Sequence, residues 1–247
     1  MTASAQEAAR LLDRLVDEGA TIPDLPEAIR PASFAEAYAI PDAALAGAAP
    51  YGWKVGPSNQ PGTLAAAPLR GAAALPSPHA LTAEDAATLG VEVEVAVTLG
   101  ADLPAEASPD QVAAGIVGIH LAYELFRSRY ADRKAVAFPS LLADHLSNAG
   151  IVLGSGQPFD PDLRLDTLEI ELLREDAPVA TIATGPTLDA VLAQLAWLAT
   201  HAAGRGIPLR ADTVILTGAR IGPLPVMPAR QLRANAAIGS VTLTIPS

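Results

Sequence analysis

The 247-residue chain contains no cysteine, which excludes disulfides, thiol catalysis and zinc–thiolate centres together. Aromatic residues make up only 4% of it, so its core must be aliphatic. Basic residues number 16 against 27 acidic ones, for a formal net charge of −11. Nucleic acid demands a basic face, and that charge argues against such a partner. It does not exclude an anionic small molecule, because a bound cation or a few local Lys and Arg can reverse the field inside a cleft. No stretch approaches the ~18 consecutive apolar residues of a membrane span. The first ten residues, Met1 to Arg10, lack a basic segment followed by an apolar one, so no signal peptide is read and a cytoplasmic protein is expected. The chain also has no Gly-x-Ser-x-Gly elbow, P-loop or glycine-rich dinucleotide motif.

What is present is a folded globular pattern, half apolar and 17% charged. An amphipathic helix is expected over residues 4–19, capped by Ser4, with Leu11, Leu12, Leu15 and Val16 as its stripe and Gly19 as its end. A second is expected from Ser33 to about Ala46, stopped by Gly47. Tyr51-Gly-Trp-Lys-Val-Gly56 then reads as a strand. Residues 57–80 are rich in Pro, Gly and Ala without periodicity, which fits a lid or binding loop as well as a wandering surface connection. Further strands are expected at 91–99, 114–126, 166–173, 179–183, 213–217 and 238–245, with Arg174-Glu-Asp-Ala-Pro178 as a hairpin turn. One helix interrupts them, capped by Thr187, burying Leu188, Val191, Leu192, Leu195 and Leu198, and ending near Gly204. The expectation is an α+β protein, with a helical N-terminal segment over 1–50 and a strand-rich body over 51–247 forming a single unit.

Three acids interrupt apolar strand patterns. Glu92 and Glu94 lie in Val91-Glu-Val-Glu-Val-Ala-Val97, and Glu124 lies in the run from Ala114 to Phe126. Side chains two apart on a strand share a face, so both carboxylates of the first run emerge side by side and repel. A cation would remove the repulsion, and three carboxylates suit a hard ion such as Mg2+ or Mn2+. The plain alternative is a solvated face, and Leu168-Glu-Ile-Glu-Leu172 shows the same spacing with that reading. Lys54, between Trp53 and Val55, is either an edge lysine or a group in a site whose flanking glycines admit a ligand. Asp144-His-Leu-Ser-Asn148 could line a pocket or end a helix. His120 and His145 are either acid–base groups or structural.

Together these segments resemble the 2-keto-4-pentenoate hydratase / 4-oxalocrotonate decarboxylase family of the fumarylacetoacetate hydrolase superfamily. The likeness runs through Ile22-Pro-Asp-Leu-Pro26, Ala37-Tyr-Ala-Ile40, Gly52-Trp-Lys-Val-Gly56, Glu92-Val-Glu94 with Ala96-Val-Thr-Leu-Gly100, Glu124 with Ser128-Arg129, Asp144 with Ser147, Ala196-Trp-Leu198, Leu216-Thr-Gly218 and Ile238-Gly-Ser-Val241. The resemblance implies a mixed β-roll and an Mg2+ or Mn2+ ion on Glu92, Glu94 and Glu124. It also implies a small 2-oxo or 2-hydroxydienoic acid substrate and a homo-oligomer. It casts Lys54 and Asp144 in catalysis, and Lys54, Ser147 and Thr217 in substrate binding; at two positions that depart from the pattern, His145 is expected to supply a replacement acid or base, and Arg127, with Arg129, to favour a second carboxylate on the substrate. Hydration is the reaction implied first; decarboxylation of a 4-oxalocrotonate-type acid, acylpyruvate-type C–C hydrolysis and non-catalytic 2-oxo acid binding are the alternatives. The chain departs from the family pattern in four places. Pro68 to Leu75 contains no acid, Arg127 stands where Asp is usual, His145 where Asn is usual, and Pro41 where Gln is usual.

Overall fold

The computed structural model describes residues 2–245; Met1, Pro246 and Ser247, at the ends of the two expected segments, lie outside the described residues. Helix α1 (Ala3–Asp17) starts one residue earlier than expected. Its cap is Thr2, whose hydroxyl accepts from the Ala5 amide at 3.2 Å, while Ser4 sits inside the helix. Its buried face is Ala5, Ala8, Ala9, Leu12 and Leu15, with Leu11 and Val16 only half-buried. Helix α2 (Phe34–Ala44) is capped by Ser33 as its sequence suggests. These helices, with Leu25, Ile29 and Tyr130, bury an apolar cluster of their own.

The unpatterned stretch is neither a lid nor a wandering connection. Strands β1 (Gly52–Pro57) and β2 (Leu64–Leu69) form an antiparallel hairpin, whose turn is tied by the Ser58 and Thr63 hydroxyls. Leu64-Ala-Ala-Ala-Pro-Leu69 escapes sequence reading because alanine has little strand preference; five of its six residues are buried, and packing decides. Two short strands follow, β3 (Leu75–Pro76) and β4 (His79–Ala80), then helix α3 (Ala83–Thr88) and strand β5 (Gly90–Leu99). The next strand begins later than expected, because Ser108 and Gln111 form a reciprocal capping box that starts helix α4 (Pro109–Gly115). The rest of the chain is β6 (Ile116–Phe126), α5 (Phe138–Ala143), β7 (Asn148–Pro158), β8 (Ile170–Arg174), β9 (Ala177–Ile182), α6 (Leu188–Gly204), β10 (Val214–Pro225), β11 (Gln231–Ala236) and β12 (Gly239–Thr244). Residues 166 and 167, expected in a strand, fall in a 3-10 turn (Leu165–Thr167) instead, β10 runs eight residues past Thr217, and β11 was not expected.

Among the described residues the strands make two mixed sheets, β2-β1-β10-β5-β6-β7-β3 and β4-β12-β11-β8-β9. Val91, Val93, Val95 and Val97 of β5 enter the main core with Trp53, Val55, Tyr123 and Leu125. Each buried valine contributes roughly 1.5 kcal/mol or more, which fixes the register against the mutual repulsion of Glu92 and Glu94. A slip of one residue would turn both acids into that core. The opposite face carries Ala96, Ala122, Leu216, Leu69 and Ile151 beside the acids. No described helix is long and apolar enough to cross a membrane.

Candidate metal centre

Strand pairing brings together what sequence separates. Glu92 lies directly opposite Glu124 across β5 and β6, and Glu94 lies opposite Ala122 on one side and Ala219 on the other. One carboxylate oxygen from each of Glu92, Glu94 and Glu124 lies within 4.8 Å of the others. Glu94 and Glu124 are buried and Glu92 is half-buried. Lys54, delivered by β1 through its parallel pairing with β10, places Nζ 2.5 and 2.7 Å from the two Glu124 oxygens and 3.4 Å from the Leu146 carbonyl. Asn148 Nδ2 donates to Glu124 Oε1 at 2.9 Å. The Gly218 amide donates to Glu94 Oε2 at 2.7 Å from a bulge in β10, where φ of +112° calls for glycine. Gln194 of α6 fixes that bulge by donating to the carbonyls of Val55 and Thr217.

One ammonium offsets one of three carboxylates, so two negative charges remain unmatched. The titration behaviour agrees. Burial raises the Glu94 carboxyl well above the usual carboxylate range and Glu124 adds to the rise, against the pull of Lys54 and the Gly218 amide. Glu92 is raised by burial and by Glu124, opposed by Lys54 and Arg133. For Lys54, burial works toward deprotonation, but Glu124, Glu94 and Glu92 together outweigh it and hold the ammonium above its usual value. Hard oxygen donors that converge, are partly desolvated and lack countercharge fit a divalent ion.

The Asp144–Asn148 segment covers this site. Its core is a left-handed turn in which His145, Leu146 and Ser147 take φ of 51°, 55° and 67° in succession. Asp144 anchors the turn by a buried ion pair with Arg129, whose guanidinium also donates to the carbonyls of Arg127, Asp144 and Asn148. Burial pushes the Asp144 carboxyl up to about 6 despite that partner. Ser147 is fully buried, and its Oγ has no hydrogen-bond partner among the described residues. His145 Nδ1 lies 3.0 Å from the Pro68 carbonyl and so carries the proton; burial, with Arg70 and Arg129, lowers its pKa to about 3. The Thr217 hydroxyl is taken by the Val95 carbonyl at 2.8 Å, and Arg127 reaches Thr88 Oγ1 at 3.3 Å. His120 pairs with Thr98. Sequence reading missed Gly218, Gln194 and Arg133 as contributors, and had Asn148 only as the end of a stretch that could line a pocket.

A cavity of about 950 Å³ lies toward the other end of the same sheet, lined by Tyr51, Ala74, Leu153, Arg205, Asp212 and Val214 among others, and by none of the three acids. Convergent chemistry, rather than volume, marks the candidate centre.

No protein-family model matches the chain. A 2-keto-4-pentenoate hydratase of Paraburkholderia xenovorans (strain LB400) is 37% identical over 136 residues, 54% of this chain and 49% of that protein. One from Burkholderia vietnamiensis (strain G4 / LMG 22486) is 33% identical over 141 residues, 56% of this chain and 53% of its own. The sequence likeness is to 2-keto-4-pentenoate hydratases. The match thus spans about half the length of these curated relatives. A 4-oxalocrotonate decarboxylase from Pseudomonas putida G7, complexed with magnesium and adipate, superposes with a TM-score of 0.84 over 98% of this chain and 97% of that one, at 22% identity. The fold is therefore that of the decarboxylase, and the resemblance read from the sequence is borne out.

Proposed function

We propose that the chain is a Mg2+- or Mn2+-dependent lyase acting on a small 2-oxo or 2-hydroxydienoic acid, with 2-keto-4-pentenoate hydratase-like hydration as the leading reaction. The observation that carries this reading is the convergence of Glu92, Glu94 and Glu124 with one lysine, which leaves a site short of positive charge. The hydratase relatives and the magnesium in the decarboxylase structure support it. Bound there, the ion would supply Lewis acidity to the carboxylate and 2-oxo oxygen of the substrate.

The protein's own groups have separable roles in this proposal. Lys54 Nζ, kept protonated by the acids, acts as a fixed cation and hydrogen-bond donor to the anionic head of the substrate. Ser147 Oγ, buried and unpartnered, is free to bond a substrate oxygen. Asp144 acts as a positioning residue, holding through Arg129 the turn that carries Leu146 and Ser147. His145 is neutral near pH 7 and buried, which suits structural support better than proton exchange. A 4-oxalocrotonate-type decarboxylase is the second reading, favoured by the fold match along nearly the whole chain. Acylpyruvate-type hydrolysis gains no support, since no histidine hydrogen-bonds a glutamate among the described residues. The proposal includes the β-roll form of the fold, residues 1–50 as a helical flank to a catalytic body over 51–247, a homo-oligomer and a cytoplasmic location.

Thermal unfolding in EDTA, in Mg2+ or Mn2+, and in metal plus oxalate tests the centre, because a ligand that binds only the folded state raises the midpoint. A metal-dependent oxalate shift that disappears in Glu92→Ala is expected. No shift under any condition would sink the lyase reading. Loss of dienoate absorbance without CO2 release then separates hydration from decarboxylation.

A further inference from the structure

Three arginines follow the third acid, at 127, 129 and 133. Arg129 is consumed by Asp144 and by three carbonyls, and Arg127 is turned to Thr88. Arg133 is different. Among the described residues its half-buried guanidinium makes no ion pair or hydrogen bond, and it rests over the Phe126 ring, with Cζ 6.0 Å from the centroid. Phe126 is two residues from Glu124 on β6 and therefore shares its face. In register it opposes Gly90, two residues from Glu92. A side chain at position 90 would meet the ring at 2.2 Å, so the missing side chain lets Phe126 lie across β5 on the acid face. The loop that presents Arg133 is ordered by the Asp132 carboxylate, which accepts from the Lys134 amide at 2.9 Å.

The direction in which a ligand must extend follows from burial. Glu94 and Glu124 are sealed, with 2% and 0% of their surface exposed, whereas Glu92 is the acid open to solvent. A molecule whose head sits on the three acids leaves past Glu92, along the Phe126 ring, toward Arg133. A divalent ion with Lys54 would balance the three carboxylates and leave no surplus positive charge, so a carboxylate farther along the ligand needs a cation of its own. An unpaired guanidinium above an aromatic wall is a suitable receptor for a carboxylate.

We propose that Arg133 is the specificity-determining residue of this centre, receiving the distal carboxylate of a 2-oxo diacid whose carbon chain lies along Phe126. The proposal rests on the assignment of the acids to a metal and a 2-oxo acid head.

Calorimetric titration of the Mg2+-loaded full chain with 2-oxoadipate, 2-oxohexanoate and oxalate tests it, on wild type, Arg133→Gln and Arg133→Lys. Wild type should bind the diacid about ten- to a hundred-fold more tightly than the monoacid, the range expected for a hydrogen-bonded charge. Arg133→Gln should erase that preference by weakening the diacid far more than oxalate or 2-oxohexanoate, which feel only the lost charge near Glu92, and Arg133→Lys should restore part of it. Equal binding of diacid and monoacid by wild type overturns the proposal alone, as does an equal weakening of all three ligands in Arg133→Gln. Failure of wild type to bind any of them overturns the metal-site reading and this proposal together.

Discussion

Two strands of this protein carry the same Glu-x-Glu pattern and use it differently. In β5, Glu92 and Glu94 face a third acid and a lysine, with Glu94 buried. Before and within β8, Glu169 is exposed and Glu171 half-exposed, while Leu168, Ile170 and Leu172 enter the core. Glu171 stands opposite Asn235 on one neighbour and Thr181 on the other, so no third carboxylate meets it. Alternation is identical in the two segments. What differs is the strand next door: β6 offers Glu124 in register, and β11 offers an amide. A cluster of charge is thus a property of strand pairing, and the spacing within one strand only makes it available.

The largest effect should come from removing the cation that distinguishes the two places. Lys54→Met leaves Glu124 buried and uncompensated, which costs about 3–5 kcal/mol for a broken buried pair. Chemical denaturation of the metal-free protein should show that loss at neutral pH, and saturating Mg2+ should recover part of it. No ion pair engages Glu169 or Glu171 among the described residues, so no comparable dependence exists there. A Lys54→Met protein as stable as wild type would mean that the acids are not ionised together.

A smaller effect separates the two places through their cover. The left-handed turn over the β5 acids buries His145 as a neutral ring, with its pKa lowered to about 3. A depressed histidine contributes stability that is full above its unfolded value near 6.5 and is lost as pH falls toward the folded value. The slope is on the order of 1 kcal/mol per pH unit across that window. Asp144, raised to about 6, works with the opposite sign, losing its contribution as pH rises through that value. His145→Asn keeps a residue that tolerates the left-handed conformation, leaves Asp144 unchanged and removes the imidazole. The stability difference between wild type and variant should therefore shrink as pH falls from 6.5 to 4, with wild type losing its advantage. Parallel stability curves would show that His145 titrates alike in the folded and unfolded chains, so that burial does not depress it.

How much of this could be read beforehand follows from the same contrast. The valine alternation of β5 and the caps at Ser33 and Thr187 are local signals, and the elements stand where those residues put them. The Ser108–Gln111 capping box was equally local and went unread beside the long apolar run that follows it. Strand β2 carried no signal, because its alanines acquire strand structure only from burial against β1. Within the centre, residue types were legible but partners were not. The Gly218 amide reaches Glu94 from 124 residues away in sequence, and Lys54 reaches Glu124 across 70. Such contacts depend on the order of strands in the sheet, and no periodicity encodes that order.

The smallest expected effect is the most exacting check on the comparison. Glu169→Gln with Glu171→Gln removes a Glu-x-Glu pattern equal in spacing to that of β5. Both side chains reach solvent, and neither takes part in an ion pair among the described residues. Substitutions at such positions stay within about 0.5 kcal/mol of wild type, and they lie outside the group of three converging acids. The double variant should therefore keep both its unfolding midpoint and its Mg2+-dependent oxalate shift. Glu94→Gln should lose that shift while gaining stability in EDTA, since the neutral amide no longer suffers the burial and repulsion that raise the Glu94 carboxyl. If instead the β8 double variant lost the shift and Glu94→Gln retained it, the two segments would have exchanged roles, and burial beside Glu124 could no longer serve as the criterion for the metal centre.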